Sequence, residues 1–298
     1  MGRRYDTISF LSDYGTDDEL VGVVKSVIRE LAPHAHIIDL THGVPPFDVR
    51  AGSLALARSI SYVASGIVIA AVDPTVGTAR RAVAIEVADG EGVLIGPDNG
   101  LLAPAVAMTG GAGRTVSLTN SEYQLASPGL TSIGRDVFAP AAAHLCNGVD
   151  LAELGDEIDA DLLMPGVVPL PQADAERVIA QVLWVDRFGN AQLNVGVDDL
   201  ADTFGERLTV RFSAPTDPSG GTTRSVVRVD AFAEVGAGAI GMLVDGSGML
   251  AVVMNERSVA EELGLDVGDQ VTLSPADDDG VSSAGSPQPV TIAPGPRR

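Results

Sequence analysis

The stretch Gly66-Ile67-Val68-Ile69-Ala70-Ala71-Val72 runs for seven residues without a charged or polar side chain, and turn residues follow at once in Asp73-Pro74-Thr75-Val76-Gly77. A short apolar run bounded in this way reads as a strand buried on both faces. The segments before it supply its partners. Residues 7–11 form a predicted strand, and Leu20, Val23, Val24, Val27, Ile28 and Leu31 recur at helical spacing until Pro33. Residues 12–18 are placed to cap that helix. Residues 36–40 make a second strand, and a second helix starts near Asp48 with Ala51, Leu54, Ala55 and Ala57 on its buried side. With 67–72 as the third strand this is a βαβαβ pattern, which implies parallel strands and right-handed crossovers. Further strands follow at 82–87 and 92–96, then helices at 101–106 and 136–146. The expected class is α/β, a Rossmann-like N-terminal domain with a mainly parallel sheet.

Residues 160–175, with Pro165, Gly166, Pro169 and Pro171, read as a linker. Beyond them, strands at 178–185, 208–212, 225–229, 242–244 and 270–273 come at short spacing, the pattern of a small all-β barrel or sandwich. The domains are therefore expected at 1–165 and 166–275, the second barrel-like, with a disordered tail at 276–298. Residues 215–221 read as a flexible hairpin tip.

Nineteen Lys and Arg against forty Asp and Glu give a net charge of -21. No basic stripe is offered to phosphates, so no nucleic-acid partner is expected. A single cysteine, Cys146, excludes an intrachain disulfide and a thiolate metal cage. The N-terminus passes directly into a strand, and no stretch approaches the ~20 apolar residues of a membrane span. A cytoplasmic protein that does not enter membranes is expected. Gly-x-Gly-x-x-Gly, a Walker loop, His-Glu-x-x-His and Gly-x-Ser-x-Gly are all absent, so neither a cofactor nor a metal is expected. Of the histidines His34, His36, His42 and His144, only His42 falls in a strand-end loop.

Chemistry concentrates in the loops after strands, where open α/β sheets bind ligands. Asp73 leaves the buried strand and Arg80 follows seven residues later; the pair is a working site or a salt bridge beside a turn. Asp13 is placed to accept both hydroxyls of a ribose, or else to serve a helix cap or Asx turn. Trp184-Val185-Asp186-Arg187-Phe188-Gly189-Asn190 offers an aromatic face, a carboxylate and an amide to a heteroaromatic base, or is an ordinary β-turn.

Taken in order, Phe10-Leu11-Ser12-Asp13-Tyr14-Gly15, residues 45–52, Val72-Asp73-Pro74-Thr75-Val76-Gly77-Thr78, residues 96–102, Gly134-Arg135-Asp136-Val137-Phe138 and Asp186-Arg187-Phe188-Gly189-Asn190 resemble the S-adenosylmethionine hydrolases. These adenosine-forming enzymes, or SAM hydroxide adenosyltransferases, are kin to the fluorinase and chlorinase. The resemblance spans about residues 6–275. It implies a homotrimer with active sites between subunits, and attack on the ribose C5′ of S-adenosylmethionine with release of L-methionine. It implies that Asp13 binds ribose, Phe47 walls the pocket and Asp186 holds the methionine end. Asn190, with Phe188, would meet adenine, and Asn99 would contact substrate. Asp73 and Arg80 would be two of three groups that orient water. The third, a histidine before Gly134, is replaced here by Ile133. Asp245-Gly246-Ser247-Gly248 stands where the family has Asn-Ser-x-Gly, leaving Ser247 to meet methionine. Thr75 replaces a glycine, and Asn255 and Glu256 fall in the adenine-edge segment. The expected reaction is hydrolysis to adenosine and methionine; a halogenase, or a binding protein with little turnover, is the alternative.

Overall fold

The computed structural model describes residues 5–174, 176–201, 204–213 and 221–276. They fall into two compact units, Met1–Val168 and Pro169–Arg298. The predicted hairpin tip at 215–221 lies, but for Gly221, outside the described residues, as does the predicted disordered tail, but for Ala276.

The first unit is an α/β layer structure. Its strands are β1 (Thr7–Ser12), β2 (His36–Thr41), β3 (Ile67–Ala71), β4 (Ala82–Val87), β5 (Gly92–Pro97), β6 (Thr115–Ser117) and β7 (Asp156–Glu157). They lie in the order β2-β1-β3-β5-β4-β6-β7. The neighbours β2, β1, β3 and β5 are parallel, with Ile8 opposite Ile67 and Ser12 opposite Ala71, whereas β4 runs antiparallel to both β5 and β6. Every residue of β3 is buried, as its composition requires.

Reversal of β4 is what shapes the working edge. Its first residue, Ala82, pairs with Pro97 at the end of β5. The connection from β3 to β4 therefore never returns to the far end of the sheet. It stays at the carboxyl edge for its whole length and leaves Asp73 and Arg80 there together.

The helices are α1 (Leu20–Leu31), α2 (Val49–Ile60), α3 (Ala103–Met108) and α4 (Ala139–Cys146). α1 begins at Leu20 with no side-chain cap, so residues 12–18 do not cap it as expected from sequence. Asp48 does cap α2, accepting from the Ala51 amide at 2.8 Å. On α2 Ala51 and Leu54 are buried as expected, but Leu56 is the fully buried side chain and Ala55 and Ala57 are half-buried, a partial correction of the predicted face. Residues 136–146, predicted as one helix, open with a π turn at Gly134–Phe138 in which the Ala139 amide reaches the Gly134 carbonyl. Pro140 has no amide hydrogen to give the preceding turn, and regular α geometry starts around it.

The second unit is a closed β-barrel. β9 (Val178–Val185), β10 (Ala191–Gly196), β11 (Arg207–Ser213), β12 (Thr222–Arg228), β13 (Gly241–Val244), β14 (Met249–Val253) and β15 (Gln270–Pro275) form the ring β9-β10-β14-β13-β12-β11-β15. The β9–β10 pairing closes it, and the short β8 (Gln172–Ala173) lies against β9. A short helix, α5 (Val259–Leu263), precedes β15. Closure removes the exposed edges that an open sheet would present. β10 and β14 were not expected. β10 is disguised by Gln192 and Asn194, both buried, which read as a polar loop. Asn194 accepts from the Gln181 amide at 2.7 Å and donates to the Pro169 carbonyl at 3.0 Å, so its burial is satisfied.

His144 on α4 lies edge-on to Tyr123, ring centres 4.9 Å apart, and burial alone pushes its pKa below the ordinary 6.5. A lowered histidine pKa makes stability fall most steeply with decreasing pH where the unfolded chain is protonated and the folded one is not. Its contribution is complete above the unfolded value and falls as pH drops through 6.5 toward the folded pKa. The melting temperature of the wild-type chain is expected to decline between about pH 7.5 and pH 5.5, and the His144→Phe variant to decline less over the same range. Parallel curves would show that His144 does not carry this dependence.

Candidate active site

Parallel pairing of β2, β1, β3 and β5 sets the loops after them side by side. After β1, the Asp13 amide bonds the Ala71 carbonyl at 3.3 Å, tying the loop to the end of β3. Its carboxylate accepts the Phe47 amide at 2.9 Å. This is neither the helix cap nor the Asx turn that the sequence left open. Phe47 has φ 68° and its ring is 68% exposed, a strained and uncovered position for a large apolar side chain.

His42, the histidine singled out by its loop, is buried. Nδ1 lies 2.7 Å from the Ser12 hydroxyl, and Nε2 is 3.1 Å from an Asp39 oxygen, at ion-pair distance but off the line of a hydrogen bond. Its ring meets Phe10 edge-on at 4.7 Å, and its carbonyl accepts the Gly15 amide at 2.8 Å. Asp39 also meets Lys25 at 2.8 Å. Partial burial of Asp39 opposes ionisation, but contacts with Lys25 and His42 outweigh it and lower its pKa below 3.8. His42 thus locks the β1 and β2 loops together and has neither ring nitrogen open to a substrate.

Asp73 is the best-organised group on the edge. Oδ1 accepts the Thr75 amide at 2.9 Å and the Thr75 hydroxyl at 2.9 Å, and lies 3.3 Å from Arg80 Nε. Arg80 Nε also donates to the Thr75 hydroxyl at 2.6 Å, and Nη1 donates to the Asp98 carbonyl at 2.9 Å. Oδ2 makes no hydrogen bond with a described residue. The Asp73 side chain is only 7% exposed. Sequence reading saw Thr75 merely as a replaced glycine; its hydroxyl in fact joins the acid to the base.

Asn99 is committed to the backbone. Its amide nitrogen donates to the Val72 carbonyl at 2.9 Å and its oxygen accepts the Leu101 amide at 3.1 Å, pinning the β5 loop to the exit of β3. Asp98 binds Arg81 and accepts the Met164 amide at 2.7 Å. Ile133 packs against the hydrophobic core, and beside it a Cβ on Gly134 would fall 2.4 Å from the Tyr14 hydroxyl. Burial pushes the Tyr14 phenol up to about 12, helped by the charges of Asp13 and Asp73. Tyr14 was not among the expected site residues, although its hydroxyl two positions past β1 was a signal to find it by.

In the second unit, the β9–β10 turn is built on Asp186. Oδ1 accepts the amides of Phe188 and Asn190, each at 2.8 Å, and Oδ2 accepts the Asn190 side-chain amide at 2.8 Å. A carboxylate only accepts, so it fixes the Asn190 nitrogen toward itself and turns the amide oxygen outward. Phe188 is 76% exposed. Asp245, at the family's asparagine position, accepts the Ser247 amide at 2.8 Å, the Met249 amide at 3.1 Å and the Gln192 side chain. Ser247 is exposed. Asn255 and Glu256 form the turn between the paired Met254 and Arg257, with Glu256 at φ 54°. Among the described residues no three of His, Cys, Asp or Glu are gathered for a metal ion, and no helix is long and apolar enough to cross a membrane.

Comparison with known proteins agrees with this geometry. A family model described as the SAM hydroxide adenosyltransferase N-terminal domain matches residues 8–155, and its C-terminal counterpart matches residues 180–272. The chain belongs to the SAM hydroxide adenosyltransferase family. It is similar to a protein of Salinispora tropica named (R)-S-adenosyl-L-methionine hydrolase, 40% identical over 267 residues, covering 90% of this chain and 97% of the relative. A protein of the same name from Thermus thermophilus is 38% identical over 278 residues, covering 89% and 98%. A fluorinase of an Actinoplanes species is more distant, 28% identical over 297 residues, covering 90% and 97%. The crystal structure of an uncharacterized conserved protein from Thermotoga maritima superposes with a TM-score of 0.80 at 32% identity, covering 90% of this chain and 99% of that one.

As a member of this family the chain carries a tightly constrained turn at Gly189, which has φ 81° and whose Cβ position would lie 2.0 Å from the Ser258 hydroxyl. Gly189→Ala is expected to lower unfolding free energy by more than about 1 kcal/mol in urea titration. An unchanged midpoint would show that this turn relaxes freely.

Proposed function

We propose that the chain hydrolyses (R)-S-adenosyl-L-methionine to adenosine and L-methionine, with an oriented water displacing the sulfonium at ribose C5′. The observation that carries this reading is the asymmetry of Asp73. One oxygen is saturated by Thr75 and Arg80, and the other has no protein donor among the described residues. A carboxylate oxygen without a protein donor, on a side chain only 7% exposed, is an acceptor for a water O–H. The relatives at 38–40% identity are named for the (R) epimer, which supplies the stereochemistry.

Water attacks C5′ in line with the departing sulfur. The C5′–O bond forms, the C5′–S bond breaks and its electron pair neutralises the sulfonium as the thioether of methionine. The surplus proton of the water passes to Asp73 and on to solvent. The leaving group needs no activation, so the residues contribute position and exclusion of bulk water. Arg80 holds the Asp73 carboxylate in place, itself anchored on the Asp98 carbonyl.

The remaining roles follow the same reading. Asp13 accepts the ribose hydroxyls and Phe47 walls the pocket. Phe188 stacks on adenine, while the outward amide oxygen of Asn190 accepts its amino group. Asp186 keeps an acceptor site on Oδ2 for the methionine ammonium, with Ser247 nearby in role at the carboxylate, and Asn255 and Glu256 meet the adenine edge. Asn99 holds the β5 loop against this substrate. No cofactor or metal enters the scheme. The proposal extends to a cytoplasmic homotrimer, with a loop of one copy completing the strand-end site of another. The exposed Phe47 and Phe188 rings support it, since each needs cover to act on a ligand.

A halide at the water position would face an ionised oxygen at short range, which repels it. Incubation with each epimer, with and without chloride, is expected to give adenosine and methionine, fastest from the (R) epimer. Asp73→Ala is expected to lose at least about 100-fold in rate. Formation of 5′-chloro-5′-deoxyadenosine in place of adenosine would establish the halogenase reading, and tight binding without any product would establish a binding protein.

A further inference from the structure

We propose that Tyr14 is a water-positioning residue of this reaction, its phenol oxygen holding the attacking water together with Oδ2 of Asp73. The inference rests on the hydrolytic reading above and adds to it a group that neither the comparisons nor the sequence assigned.

Packing accounts for the ring of Tyr14 but not for its hydroxyl. The ring meets Phe10 edge-on at 6.2 Å and packs against the hydrophobic core, contacts that a phenylalanine would make equally well. The hydroxyl makes no hydrogen bond with a described residue. The oxygen is not among the sealed, unpartnered polar atoms of the structure, so it stays open at the surface of a ring that is otherwise packed. Its partner is therefore sought outside the chain, in solvent or substrate.

Two neighbours define where that partner sits. On one side is Gly134, whose missing side chain leaves the hydroxyl its space, since a Cβ there would approach it to 2.4 Å. The π turn at Gly134–Phe138 places this glycine over the ring, and π turns are common at functional sites. On the other side the Asp13 amide is bonded to the Ala71 carbonyl at 3.3 Å, which brings Tyr14 beside the exit of β3 that carries Asp73. Burial, helped by the charges of Asp13 and Asp73, pushes the phenol pKa up to about 12. Tyr14 is thus a permanent neutral hydroxyl, a holder of water and not a base.

A water bridging Asp73 Oδ2 and the Tyr14 oxygen donates one hydrogen to each and directs a lone pair at C5′. As the C5′–O bond forms and the C5′–S pair leaves on sulfur, the proton on the Asp73 side is transferred, and Tyr14 neither gains nor loses one. Ile133 has no polar atom for such a contact, and the Tyr14 oxygen beside the next residue, Gly134, supplies one.

The test is Tyr14→Phe, which keeps the ring and removes one oxygen. The expected result is a fall in kcat of about tenfold, as for loss of one hydrogen bond to the reacting water, with KM within about twofold and the melting temperature retained. Gly134→Ala, which pushes the hydroxyl away, is expected to lower kcat alone but to add little in the Tyr14→Phe background. A wild-type kcat in Tyr14→Phe, while Asp73→Ala loses adenosine formation, overturns this inference and leaves the hydrolytic reading standing. A change confined to KM overturns it too, assigning Tyr14 to ribose binding. Absence of adenosine from the wild-type chain overturns the hydrolytic reading itself.

Discussion

One oxygen atom, Oδ1 of Asp73, gathers the Thr75 amide, the Thr75 hydroxyl and the Arg80 guanidinium around itself. The arrangement fixes the carboxylate in rotation, and in doing so leaves Oδ2 as an open acceptor. An exposed Asp–Arg pair is worth little, about 0–1 kcal/mol, but a buried one with shared hydrogen bonds holds its geometry. The fold exists in service of that placement. Parallel β1, β3 and β5 bring their ends to one edge, and the reversed β4 keeps the whole 73–81 connection on it. Had β4 been parallel, the chain would have crossed to the opposite edge before starting it, and Arg80 would have been carried away from Asp73.

Much of this was legible in the chain itself. The uncharged run 66–72 could only be a buried strand, and the βαβαβ spacing around it fixed parallel pairing. The barrel was legible in outline, yet β10 and β14 were not. Gln192 and Asn194 mimic a loop because their hydrogen-bond partners, Asp245 and the backbone at 169 and 181, are distant in sequence. The same limit governs the site. Asp73 and Arg80 were visible as a pair, but spacing could not tell a salt bridge from a site. Only the structure shows Thr75 joining them and Asn99 spending its amide on the backbone. Tyr14 offered a hydroxyl two positions past β1, but its setting depends on Gly134, 120 residues further along, which local sequence does not reveal.

The chain also departs from the pattern it resembles in ways that the geometry makes intelligible. Aspartate at 245 serves a turn whose three contacts are all donors, so an acceptor-only side chain suits it better than an amide. Threonine at 75 adds a hydroxyl where glycine has none and uses it to couple acid to base. Isoleucine at 133 brings no polar atom where the family has a histidine, and the proposed role of Tyr14 would supply an oxygen on that side instead.

The central claim is that water, held by Asp73, becomes the 5′ oxygen of the product nucleoside. Running the reaction in water enriched in oxygen-18 and analysing both products by mass spectrometry tests it most directly. The account predicts one heavy oxygen in adenosine, at the 5′ position, and none in methionine. A label appearing in a methionine-derived fragment, or a nucleoside product carrying no heavy oxygen, would contradict it.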